Sequence, residues 1–203
     1  MQLVLATRNQ GKVRELRELL QDLGVEVISL EEYKDFPEIE EDGTTFKENA
    51  IKKARETAGF TGLISLADDS GLEVDYLGGE PGVHSARFAG EPKDDKANNE
   101  KLLKLMEGVP LTRRTARFRC VVAICGPKGE VHTAEGTCEG IIGTDLRGEQ
   151  GFGYDPLFYL PDYEKTFAEL DLSIKNKISH RGRALLKAKD IITKMLSENQ
   201  RGG

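Results

Sequence analysis

The chain lacks most of the features that would commit it to a special environment. No apolar run approaches the ~20 residues that a membrane-spanning helix needs, so no membrane partner is expected. Its opening, Met1-Gln2-Leu3-Val4-Leu5-Ala6, has none of the charged, apolar and cleavable segments of a secretion signal. The expected location is therefore cytoplasmic. Cysteine is scarce: Cys120, Cys125 and Cys138 are odd in number and lack zinc-ligand spacing. Two of them fall in apolar runs and read as buried small hydrophobes in a reducing compartment. Basic charge is not in excess either. A net charge of −6 argues against a protein that coats nucleic acid, which would carry a basic field. It leaves a phosphorylated small molecule open, because a few lysines and backbone N–H groups gathered in one place can bind one. No internal repeat or low-complexity linker interrupts the chain, and only positions 199–203 read as a frayed end.

What is present is an ordinary folded composition. The 203 residues are 38% hydrophobic and 32% charged, enough to bury a substantial core. Strand-like and helix-like patterns alternate. Residues 3–6 form a short apolar run, and apolar residues at 13, 16, 19, 20 and 23 keep helical spacing up to Gly24. A second strand is expected over 25–30. Thr44 or Thr45 caps a helix to about 58, with Glu48 in its first turn. A third strand covers 63–67 and ends at Asp68-Asp69-Ser70-Gly71. A helix over 94–106 follows, then strands 115–125 and 130–142 joined by a Gly126-Pro127-Lys128-Gly129 turn. After a loop at 148–156, the chain closes in a helical region from 172 to 198. Helices mixed with neighbouring and crossover strands indicate an α/β protein with a mixed sheet. The 22 glycines, about one residue in nine against an average of ~7%, cluster between elements, where a scaffold presents binding groups.

Five groups of residues could carry chemistry. Thr7-Arg8-Asn9-Gln10-Gly11-Lys12 lies between a strand and a helix start, where outward N–H groups and a mobile lysine suit phosphate. It is not a Walker A loop, which would need glycine at Ala6 and serine or threonine at Val13. A capped helix start with a surface lysine reads equally well. Asp68-Asp69 at a strand end would point two carboxylates in different directions. One could meet magnesium, a hard cation that keeps several waters and needs only one or two carboxylates beside substrate phosphates; a solvated Asp-Ser-Gly turn is the alternative. Glu38, Glu40, Glu41 and Asp42 form an acidic loop, either solvated or a second source of metal ligands. Gly151-Phe152-Gly153-Tyr154-Asp155-Pro156 sets two aromatics among glycines. Phe152 or Tyr154 could stack on a base and Asp155 could accept from base N–H groups, or the aromatics could plug the loop into the core. Lys175 and Ser179-His180-Arg181-Gly182 make a cationic, donor-rich surface suited to phosphate or a purine carbonyl oxygen, or simply a surface helix turn. Gly182, within a helical pattern, costs about 1 kcal/mol relative to alanine, which suggests that something close by requires its missing side chain.

Taken together and in order, these motifs resemble one family, the inosine/xanthosine triphosphate pyrophosphatases or Ham1-like enzymes. The matching pieces are Thr7–Lys12, Glu40-Glu41-Asp42-Gly43 with Phe46-Lys47-Glu48-Asn49-Ala50, and Ala67-Asp68-Asp69-Ser70-Gly71-Leu72. They continue with Leu77-Gly78-Gly79-Glu80-Pro81-Gly82, Ser85-Ala86-Arg87, Gly151–Pro156 and Ile178-Ser179-His180-Arg181. The resemblance spans almost the whole chain, and its last two motifs are the most specific.

The resemblance implies a single α/β domain over 1–203, a long mixed sheet with flanking helices forming two lobes around a central cleft, and a homodimer. It implies hydrolysis of ITP, dITP and XTP at the α–β phosphoanhydride bond, with Mg²⁺ as cofactor. By position, Thr7, Arg8, Asn9, Gln10, Gly11 and Lys12 would hold the triphosphate. Asp69 would be metal ligand and general base, with Glu40 or Glu41 as second ligand, and Ser70 would touch the substrate. Phe152, Gly153, Tyr154, Asp155, Lys175, His180 and Arg181 would form the base pocket. Family members often carry glutamate just before the pocket lysine, where this chain has Ile174.

Overall fold

The computed structural model describes residues 1–201, with side chains described through Ser197; Gly202 and Gly203 lie outside the described residues. The chain opens as strand, helix, strand: β1 (Gln2–Leu5), α1 (Gln10–Leu20) and β2 (Glu26–Ser29). Helix α1 forms because Val13, Leu16 and Leu20 recur on one buried face and Asn9 caps its start, its side chain accepting from the Lys12 N–H. A 3₁₀ turn over Gln21–Leu23 leads to Gly24 at φ +62°, a left-handed stop that glycine adopts without a Cβ penalty. In α2 (Phe46–Thr61) Thr45 and Glu48 close the expected capping box.

With β3 (Ile64–Val74), β4 (Thr115–Cys125), β5 (Val131–Ile142), β6 (Phe158–Leu160) and β7 (Lys165–Thr166), the sheet among the described residues is ordered β2-β1-β3-β4-β5-β6-β7. Strand β1 pairs parallel with β2 and β3, while β5–β6 and β6–β7 are antiparallel. The sheet is thus mixed, and with its helices the α/β class expected from the sequence is observed. Strands β4 (Thr115–Cys125) and β5 (Val131–Ile142) and helix α3 (Asp95–Leu105) fall close to their expected bounds.

The structure differs from expectation at four points. Strand β3 runs from Ile64 to Val74 rather than stopping at 67. Turn-forming residues at 68–71 yield to sheet pairing, with Leu66, Ala67, Leu72 and Val74 all buried. Strands β6 (Phe158–Leu160) and β7 (Lys165–Thr166) were not expected, because three and two residues are too short to show a period. The helical region from 172 is two helices, α4 (Leu172–Ile178) and α5 (His180–Arg201), separated at Ser179, whose ψ of 151° is extended. Residues 199–201 are therefore helical rather than frayed.

The chain forms two compact units. The first comprises residues 1–69, 120–136 and 183 onward; the second comprises 70–119 and 137–182. The core of the first gathers Leu3, Leu5, Leu16, Leu20, Leu66, Val122, Ile124, Leu185, Ala188 and Ile192. That of the second gathers Leu72, Leu102, Met106, Phe118, Ile142, Phe158 and Phe167, with the Phe118 and Phe158 ring centroids 4.5 Å apart. All three cysteines are free and buried. No helix among the described residues is long and apolar enough to cross a membrane.

Candidate active site

In the first unit, β1 delivers the chain into the 7–12 turn. Thr7 Oγ1 accepts from the Asn9 N–H at 3.2 Å and Asn9 Oδ1 accepts from the Lys12 N–H at 3.1 Å, so short polar side chains hold the turn in shape. Arg8, Asn9, Gln10 and Gly11 remain exposed. Gln10 is engaged locally, donating to Glu31 at 2.6 Å. Arg8 makes a long bond to the Phe36 carbonyl at 3.4 Å. Lys12 turns inward and pairs with Asp68 at 2.7 Å, where the carboxylate is almost fully buried.

Because β3 continues through the acidic pair, Asp68 and Asp69 alternate in direction and take different partners, as strand geometry requires. Asp69 keeps 13% of its side chain exposed. Its Oδ2 accepts from Asn49 Nδ2 at 3.1 Å and its Oδ1 lies 3.5 Å from Lys53 Nζ. Asn49 Oδ1 in turn accepts from the Gly43 N–H at 2.8 Å, tying the acidic loop to the same carboxylate. A Cβ on Gly43 would come within 2.5 Å of that oxygen, so only glycine permits the approach. Asn49 and Lys53 are one turn apart on α2 and present neighbouring groups to β3. Lys53 also pairs with Glu41 at 2.8 Å. Burial works to lower the Lys53 pKa, but Asp69 and Glu41 outweigh it and hold it above the ordinary lysine range. Below these groups, burial pushes the Cys120 thiol well up, with Asp68 acting in the same direction, which leaves it unreactive.

Among the described residues, no three carboxylate, histidine or cysteine side chains gather into a ready-made metal cluster. Glu41 is committed to Lys53, while Glu40 stands exposed. A partly exposed Asp69 carboxylate fits magnesium that arrives with substrate phosphates and keeps its waters, rather than a permanently caged ion.

In the second unit, the 151–156 loop separates its two aromatics. Phe152 is 75% exposed, whereas Tyr154 is 4% exposed. The Tyr154 hydroxyl donates to the Ser85 carbonyl at 2.8 Å, and burial raises its pKa. Tyr154 thus plugs the loop into the core, and Phe152 is the ring left exposed. Asp155 Oδ2 accepts from the Phe152 N–H at 2.8 Å and from Lys175 Nζ at 2.5 Å. Burial raises the Asp155 pKa and Lys175 opposes that rise. Lys175 Nζ also lies 5.2 Å from the Phe152 ring centroid, within cation–π range.

His180 and Arg181 open α5. The His180 ring stacks on Phe118 at 4.8 Å. Burial lowers the Arg181 pKa to about 10, so it is still charged near neutrality. Gly182 donates its N–H to Ser179 Oγ at 3.1 Å. A Cβ there would overlap the Asn176 carbonyl oxygen of α4, which is the close approach the sequence suggested. Ser70 lies on β3, half-buried, one residue beyond Asp69.

The expected residues are divided between the two units. Thr7–Lys12 and Asp69 belong to the first, and Ser70, Phe152–Asp155, Lys175, His180 and Arg181 to the second. Sequence reasoning missed Lys53 and the tie from Asn49 to Gly43. Their only sequence signal is i, i+4 spacing within the Phe46–Ala50 motif helix.

Comparison with known proteins identifies the family and the fold. The Ham1 family model matches residues 3–191. A dITP/XTP pyrophosphatase of Desulforamulus reducens is 65% identical over 96% of this chain and 97% of its own. One from Geobacter sulfurreducens is 55% identical over 93% and 94%. Among solved structures, a HAM1 protein from Coxiella burnetii matches with TM-score 0.91 and 44% identity, covering 96% of this chain and 99% of its own. The Staphylococcus aureus Ham1 protein matches with TM-score 0.90 and 42% identity over 96% and 100%. With its fold, its motifs and nearly its whole length in agreement, the chain belongs to the Ham1 family.

Proposed function

We propose that this chain is a nucleoside triphosphate pyrophosphohydrolase that removes non-standard purine nucleotides. It hydrolyses ITP, dITP and XTP to the monophosphate and pyrophosphate. The observation that carries the reading is Asp69: a partly exposed carboxylate fixed by Asn49 and flanked by Lys53, in the same unit as a capped helix start suited to phosphate. The relatives named dITP/XTP pyrophosphatase support the substrate class.

In this reading the Thr7–Lys12 turn and Lys12 bind the triphosphate, and Lys53 adds positive charge beside it. Asp69 accepts a proton from water as its oxygen bonds to the α-phosphorus and the α–β bridging bond breaks, releasing pyrophosphate. Mg²⁺, held by Asp69 and Glu40, would neutralise phosphate charge and lower the pKa of water. Glu41 is the weaker ligand candidate, since Lys53 occupies it.

Phe152 stacks on the base, while Lys175, His180 and Arg181 supply donors toward the 6-oxygen of hypoxanthine or xanthine. An adenine amino group would leave such donors unpaired, and sites of this kind can discriminate by about 10⁴–10⁵ in favourable cases. A single two-lobed domain over 1–203, a homodimer and a cytoplasmic location belong to the same reading, and equilibrium sedimentation tests the dimer.

The deciding experiment incubates the protein with ITP, dITP, XTP, ATP and GTP, with Mg²⁺ or EDTA, and resolves products by ³¹P NMR. Monophosphate and pyrophosphate from ITP, dITP and XTP, abolished by EDTA, are expected. Orthophosphate and a diphosphate would make the protein a triphosphatase instead; no turnover would make it a binding module.

A further inference from the structure

Phe152 presents a paradox of support: its ring is three-quarters exposed, yet the backbone around it is held on every side. Its own N–H donates to Asp155 Oδ2 at 2.8 Å. The next residue, Gly153 at φ +60°, has both peptide groups bound by α3. Its N–H donates to Asp95 Oδ2 at 2.8 Å and its carbonyl accepts from Asn99 Nδ2 at 2.8 Å. Asn99 Nδ2 also donates to the Asp95 carbonyl at 2.7 Å, locking the two clamp residues together.

Asn99 is 4% exposed and its Oδ1 has no hydrogen-bond partner among the described residues. A buried unpaired acceptor is unfavourable, and an apolar side chain would suit α3 better. Its retention points to the donor half of the amide, aimed at Gly153. Asp95 is likewise unnecessary as a cap, because Asp94 already accepts from the Lys96 and Ala97 N–H groups. Beside the clamp lies a cavity of about 320 Å³ bordered by Asp95, Asn99, Leu146, Phe152, Gly153 and Pro156. A released loop has room to move into it, so loop packing alone does not fix the ring.

We infer that Asp95 and Asn99 are positioning residues for base recognition: they clamp the Gly153 peptide so that the Phe152 ring is held ready to stack on the purine. This rests on the reading of Phe152 as the base-stacking residue. A pre-positioned stack acts on ground state and transition state alike, so its loss raises KM and leaves kcat largely intact.

The test measures steady-state ITP hydrolysis for D95A, D95N, N99A, N99L and F152A, with inhibition by inorganic tripolyphosphate alongside. D95A loses both the charge at the start of α3 and the acceptor for Gly153; D95N loses the charge but keeps an acceptor. D95A, N99A and N99L are expected to raise KM for ITP about tenfold, with kcat little changed and D95N restoring KM toward wild type. Tripolyphosphate has no base, so its inhibition constant should not move.

Equal KM increases in D95A and D95N would assign Asp95 to helix electrostatics and overturn the clamp. A shift in tripolyphosphate inhibition would mean general damage and also overturn it. Wild-type KM in D95A and N99A beside a raised KM in F152A would remove the clamp while keeping base stacking. Wild-type KM in F152A would remove base stacking itself, and the clamp with it.

Discussion

Replacing Gly182 with alanine tests whether the corner between α4 and α5 is fixed by close backbone approach. In an ordinary helix interior this change stabilises by about 1 kcal/mol, since glycine gives up more backbone freedom on folding. Gly59 in α2 offers that ordinary case: a Cβ there meets nothing within 4 Å. Gly182 is the opposite case, because its Cβ would overlap the Asn176 carbonyl oxygen, and carbonyl oxygen belongs to backbone that cannot rotate aside. Inserting a methyl into a closed contact costs roughly 1–3 kcal/mol, which outweighs the propensity gain or at best cancels it. For a chain of this size each kcal/mol moves Tm by about 2–4 °C. Calorimetry should therefore show Gly59→Ala raising Tm by up to about 4 °C and Gly182→Ala giving no rise and lowering it by up to about 8 °C. Since Asn176 adjoins Lys175, ITP affinity should weaken in Gly182→Ala and stay unchanged in Gly59→Ala. A Tm rise of the same size in both variants would refute the close-approach argument.

Other consequences follow from the first unit. Asp69→Asn keeps the size of the side chain but removes the proton acceptor, so hydrolysis of ITP should fall by at least about 10² with an unaltered circular dichroism spectrum; near-wild-type turnover would take Asp69 out of the base role. Lys12→Ala removes both a phosphate-binding charge and the ion pair to buried Asp68, so tripolyphosphate inhibition and Tm should both weaken. Unchanged inhibition would remove Lys12 from the phosphate site. Thr45→Ala breaks the capping box of α2 and should cost about 1 kcal/mol in urea unfolding, and it should leave Phe152-dependent base selection unaffected.

How much of this was legible beforehand follows from where each signal originates. The 7–12 turn and the capped start of α2 were readable because Asn9, Thr45 and Glu48 act within four residues of themselves. Strand β3 runs past the end its composition suggests because Asp68-Asp69-Ser70-Gly71 has turn composition, and only pairing with distant strands extends it. The break at Ser179 is hidden for a related reason. Helical spacing continues across it, and the serine hydroxyl that accepts from the Gly182 N–H works in place of one helical bond.

The harder losses are of direction. Alternation states that Asp68 and Asp69 face opposite ways, but not which of them meets Lys12. That is decided by α1, whose Lys12 reaches Asp68 at 2.7 Å, leaving Asp69 to Asn49 and Lys53. The two aromatics of the 151–156 loop pose the same problem, and Ser85, 69 residues away from Tyr154, resolves it by accepting from the hydroxyl. In both pairs the sequence shows a carboxylate or a ring with two candidate roles. The partner that assigns those roles is an ordinary residue on another element: a lysine, an asparagine, a serine carbonyl. Motifs record the groups that would meet the substrate. The groups that orient them, Asn49 and Lys53 in one unit and Ser85, Asp95 and Asn99 in the other, are visible only when the strands and helices have been brought together. Substitutions at Lys53, Asp95 and Asn99, which lie outside the motifs, should therefore alter binding without altering any residue of the motifs themselves.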